Sequence, residues 1–76
     1  MNYNLDTQAG MANAIAWTNA MLAQLNDVGV WMVPRSGSLV HFNQEAKTAN
    51  VVSFLPDHSL ARVLTAMGFT VTETVA

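Results

Sequence analysis

Met11, Ala14, Ile15, Thr18, Met21, Leu22 and Leu25 recur at three- and four-residue spacing, which places them on one face of a helix. Asp6 or Thr7 stands where a side-chain oxygen can accept from a free N–H at the helix start. Trp17 falls on the shoulder of the apolar stripe. Ala12, Ala16, Ala20 and Ala23 form a second row on another face, small enough for a neighbouring backbone to approach closely. Alanine is also the best helix former, so the row reads equally well as simple filling. Asn26-Asp27 is expected to end this helix and lead directly into a strand.

The period then changes. Val28-Gly29-Val30-Trp31-Met32-Val33 is apolar at every position, whereas a strand covered on one side only should alternate with polar residues. Pro34-Arg35-Ser36-Gly37 is a turn, with proline presetting one dihedral and glycine accepting a positive one. A second strand returns from Ser38 to Asn43, Gln44-Glu45-Ala46-Lys47 makes a polar turn, and a third strand runs from Thr48 to Leu55. An even-numbered hairpin loop puts Trp31, Val33, Val40, Phe42 and Val51 on one sheet face. The other receives Val30, Met32, Leu39, His41, Val52 and Phe54. Both faces are apolar, and one layer of helices covers only one of them.

Pro56-Asp57 opens a second helix with Asp57 as its expected N-cap. Leu60, Val63, Leu64 and Met67 line its buried face. Gly68 stops it in the left-handed conformation, and Phe69 packs back on Leu64 as in a Schellman ending. Thr70 to Val75 alternates and is rich in β-branched residues, so it reads as a fourth strand, its threonines toward solvent or a shared edge. The whole chain, 1–76, is thus expected to be one small α+β domain in the order α-β-β-β-α-β. Two helices lie on one face of a mostly antiparallel sheet. The last strand runs parallel to the first and third and is expected beside the first. The α-β-β-β-α portion repeats the element order of double-stranded-RNA-binding domains, a likeness of topology alone. Those domains resemble one another in a lysine cluster opening the second helix, where this chain has Asp57, His58 and Ser59.

Charge sharpens the picture. The stretch from Thr7 to Asn26 holds no charged residue, and charged residues are 11% of the chain, against roughly 25% in an average soluble domain. Little of the surface is marked for bulk water, which points to a partner, most simply a second copy. With 76 residues and no cysteine, disulfides and thiolate metal sites are excluded. Two histidines far apart make a metal an unattractive stabiliser, so oligomerisation is the stabiliser left. The net charge of −2 and three scattered cations disfavour bulk attraction to nucleic acid or anionic membrane. The uncharged stretch has too many polar groups to cross a bilayer. The N-terminal residues lack a signal peptide's basic region, so an intracellular location is expected.

No motif for catalysis emerges. Asp57, His58 and Ser59 are consecutive at a helix start and point apart, whereas a triad needs groups within hydrogen-bond reach. His41 with Glu45 reads as a strand residue and a turn residue rather than a metal or acid–base pair. Ser36 and Ser38 lack the strand-turn-helix setting of a nucleophile elbow, and the four glycines do not cluster into a phosphate loop. The expectation is a non-enzyme without cofactor or metal: a protein–protein interaction module acting as a homodimer or small homo-oligomer. A small adaptor or a viral-type inhibitor of a host protein fits that size and lack of motifs. The partner surface is placed on Trp31, Val33, Pro34, Arg35, Val40 and Phe42, and self-association on Ala12, Ala16, Ala20, Ala23 and Trp17. The alternative is a single-stranded nucleic-acid binder that stacks bases on Trp31 and Phe42, with Arg35 reaching a phosphate. A small-ligand pocket between helix and sheet is a third class.

Overall fold

In the computed structural model, which describes residues 3–34, 36–54 and 58–76, the elements follow in the expected order. They are α1 (Gln8–Leu22), β1 (Val28–Met32), β2 (Leu39–Asn43), β3 (Thr48–Ser53), α2 (Ser59–Ala66) and β4 (Thr70–Val75). Thr7 caps α1: its Oγ1 accepts from the Gly10 N–H at 3.0 Å and donates to the Asn4 carbonyl at 3.0 Å. Ala14, Thr18 and Leu22 are the buried positions of α1, inside the stripe read from spacing, while Met11, Ile15 and Met21 are half-buried and Leu25 is exposed. Thr18 is fully buried and satisfies its hydroxyl on the Ala14 carbonyl at 2.8 Å, a bond that keeps a polar atom inside the core.

The helix stops at Leu22, short of Asn26. The Gln44 amide, from the turn between β2 and β3, donates to the Leu22 carbonyl at 2.9 Å and to the Asn26 carbonyl at 3.0 Å. A side chain from 22 residues away thus satisfies a carbonyl of the last turn.

The sheet order is β1-β2-β3-β4, antiparallel between the first three strands and parallel between β3 and β4. The expected position of the last strand beside the first is therefore wrong; β4 lies beside β3. Only α2 separates β3 from β4, and a strand-helix-strand unit with short connections returns its second strand next to its first. Gly68 has φ +96°, Gly68 N–H donates to Thr65 O at 3.0 Å and Phe69 N–H donates to Leu64 O at 3.0 Å, the paired bonds of a Schellman ending. Asp57 lies outside the described residues. At the start of α2, His58 occupies the cap position without a side-chain capping bond.

The register pairs Trp31 with Val40 and Val40 with Val51, so the two faces divide as the even-numbered loop requires. The helices cover the Trp31 face. Its core joins Trp31, Val33, Val40, Phe42, Ala49 and Val51 to Leu22, Leu60, Leu64 and Phe69. Trp17 leans on this core with its ring 5.6 Å from that of Trp31, tilted by 47°. A second cluster of Leu5, Ala14 and Val63 fixes the N-terminal turn against both helices. Phe69 carries the Lys47 ammonium 4.8 Å above its ring, at the start of β4.

Candidate functional site: the uncovered sheet face

The face away from the helices is built from alternate residues of all four strands. Following the register, one row across it reads Met32, Leu39, Val52, Thr74; the next Val30, His41, Asn50, Thr72; the third Val28, Asn43, Thr48, Thr70. Apolar character is concentrated along β1 and across the first row, and Phe54, one residue past the end of β3, is also exposed. Val28 is 63% exposed, Val30 53%, Met32 69% and Phe54 76%. Toward β4 the face becomes polar, with the Thr74 hydroxyl 3.2 Å from Asn50 Oδ1. The face thus has an apolar corner and a hydroxyl-rich flank. Not one formal charge lies in these three rows.

Four of the six residues assigned to a partner surface from sequence are core residues here. Trp31, Val33, Val40 and Phe42 are at most 6% exposed and sit under the helices. Both faces are apolar by alternation, but the register sets His41 against Asn50, and burying those two groups would need hydrogen-bond partners that the apolar stripes of α1 and α2 do not offer. That pairing was the available signal for which face stays open, and it makes Val28, Val30, Met32 and Phe54 the residues that the sequence reading passed over. Pro34 is exposed, and Arg35 lies outside the described residues. Burial of Trp31 and Phe42 also removes them from any base-stacking platform. Ala12, Ala16, Ala20 and Ala23 are exposed along α1, whereas Trp17 is half-buried against Trp31.

A different kind of feature lies on the helix side. An open groove of ≈ 480 Å³ is lined by Met11, His58, Ala61, Arg62, Thr65, Ala66 and Glu73. Within it His58 Nδ1 and Glu73 Oε1 are 2.8 Å apart, tying the first turn of α2 to β4. Sequence reading did not pair these two residues, because nothing local signals a contact across 15 positions. At the groove's other end Arg62 reaches Asp6 at 3.3 Å. Both contacts are substantially exposed, and an exposed ion pair such as Arg62 with Asp6 contributes about 0–1 kcal/mol. Among the described residues no group of three His, Asp or Glu side chains converges as a metal would need, and no helix is long and apolar enough to cross a membrane.

Compared with protein-family models, curated protein sequences and solved structures, the chain matches none.

Proposed function

We propose that this chain is a non-enzymatic protein–protein interaction module that acts as a homodimer or small homo-oligomer through the apolar corner of its open sheet face. The observation that carries this reading is the exposure of Val28, Val30 and Met32 together along β1 on a face without charge. Single exposed apolar residues are ordinary on a protein surface, whereas a contiguous apolar patch marks an interaction site. The surface otherwise has few charges to keep partners away, and 51% of the chain is hydrophobic. The exposed alanine row of α1 offers a secondary contact. A small adaptor, or an inhibitor that occupies another protein's surface, would use the same corner.

The test is molar mass by light scattering over a dilution series, with Met32→Lys alongside. The expected result is a mass above the 8.2 kDa of one chain that falls on dilution, and a folded Met32→Lys variant of monomer mass. A wild-type mass of one chain at every concentration refutes the reading.

A further inference from the structure

We infer that two copies associate edge to edge, through antiparallel pairing of β1 with the β1 of a second chain about a two-fold axis at Val30. This rests on the interaction reading above and specifies how the contact is made.

The direction of the β1 backbone groups follows from the ends of its ladder. Val33 N–H donates to Ser38 O at 2.8 Å, and Gln44 N–H donates to Asp27 O at 2.7 Å. Both are odd-numbered positions of the first strand and its flanks. Because ladder bonds alternate along an antiparallel strand, odd positions face β2 and even positions face away. The N–H and C=O groups of Val28, Val30 and Met32 therefore point out of the sheet's free edge, and among the described residues none of them has a partner. The same three residues present their side chains on the open face. Backbone and side-chain valences are unsatisfied at one place.

Edge strands are commonly protected by charge, proline or a bulge. β1 has none of these: its sequence is Val-Gly-Val-Trp-Met and its pairing with β2 is continuous. β4, the other edge, is guarded. Its bonds from Thr70 N–H to Lys47 O and from Ala76 N–H to Ser53 O put the backbone groups of Val71, Glu73 and Val75 outward. Two copies meeting there about a two-fold axis would set Glu73, each carboxylate held among the described residues only by its own His58, directly against Glu73, and like charges opposite one another destabilise a pair. At β1 the same operation sets Val30 against Val30 and Val28 against Met32 in both directions. Three residues on each side then complete their ladder, apolar side chains meet across it, and no charge is desolvated.

The occupant is thus a second copy: the outward pattern of β1 is its own complement. The product is an eight-stranded sheet whose open faces lie on the same side, joining the two apolar corners into one stripe. Edges about 17 Å long bring together less than the ~1,200 Å² of a standard stable interface. The dimer is accordingly expected to be reversible and to dissociate on dilution.

The experiment combines light scattering of the full chain with single-cysteine cross-linking, which the absence of native cysteine makes clean. Val30→Pro removes the central outward N–H from an edge where proline is tolerated, so it should remain folded by circular dichroism and lose the dimer. Val30→Cys should form a disulfide-linked dimer under mild oxidation, since residues directly opposite in a hydrogen-bonded pair have Cα atoms about 5.5 Å apart, within disulfide reach. Leu39→Cys, in the middle of the open face, and Thr72→Cys, near the other edge, should cross-link at least tenfold more slowly. A dimer that survives in folded Val30→Pro, or one that Leu39→Cys captures faster than Val30→Cys, overturns edge pairing while self-association stands. A wild-type monomer throughout overturns both. Should Val30→Pro fail to fold, the ordering of the cross-linking rates decides.

Discussion

Replacing Gly10 by alanine should destabilise this protein, although the sequence by itself argues the opposite. Gly10 lies in the first turn of α1, and alanine in place of glycine within a helix ordinarily gains about 1 kcal/mol. A β-carbon at Gly10 would overlap the carbonyl oxygen of Asn4 and come within 2.7 Å of its carbonyl carbon and 2.8 Å of Thr7 Oγ1. The Asn4 carbonyl cannot yield alone, because it accepts from both the Thr7 hydroxyl and the Thr7 N–H. Moving it displaces the cap and Leu5, which is 9% exposed against Ala14 and Val63. Loss of the cap costs about 1 kcal/mol, and exposing a leucine about 1.5–3 kcal/mol. After the propensity gain, a net loss of about 2 kcal/mol is expected. Urea denaturation followed by circular dichroism measures it, at a fixed low concentration so that association does not contribute. The midpoint should fall with the slope unchanged. Asn13→Ala, at an exposed position of the same helix, should instead raise it slightly. A Gly10→Ala midpoint at or above wild type would show that Asn4 does not press on the helix, and the reasoning would be refuted.

Val40→Ala empties a fully buried site in the central strand pair and should cost about 2–3 kcal/mol in the same assay. Gly68→Ala forces a β-carbon into φ +96° and should cost about 1–2 kcal/mol, although the site has open space around it. Thr18→Val exchanges a buried hydroxyl bonded within its own helix for a methyl of similar size. It should change stability by less than about 1 kcal/mol, since the Ala14 carbonyl is not left stranded in a helix ladder. His58→Gln removes an exposed hydrogen bond to Glu73 and should lower the urea midpoint only slightly, by less than about 1 kcal/mol in stability.

Where local chemistry decides structure, the chain was readable. Thr7 caps, Gly68 and Phe69 close α2 in paired bonds, and the turn after Val33 sets a register that separates the two faces. Each depends on a few neighbouring residues and on hard backbone geometry. What was not readable came from distance. The carbonyl of the last residue of α1 is satisfied by Gln44, a residue of another turn. The position of β4 follows from the shortness of the α2 crossover rather than from any preference of its own residues. His58 and Glu73 meet only because that crossover brings them together. The candidate site was half legible: two apolar faces could be counted, but not which of them the helices cover, because the large rings of Trp31 and Phe42 look as suited to a partner as to a core. The polar pair His41 and Asn50 held the missing information.

The parallel placement of β4 gives the sheet a polarity. β1 and β3 run the same way, and β4 runs with β3, so the two flanks of the sheet point in one direction. Copies related by simple translation could therefore lay β4 of one against β1 of the next as a parallel ladder, and that arrangement has no last member. A two-fold meeting at β1 consumes the unguarded flank of both copies and leaves Glu73 on each outer end. On this geometry Glu73 is a terminator: its replacement by threonine or valine would turn a finite pair into the seed of a growing fibre.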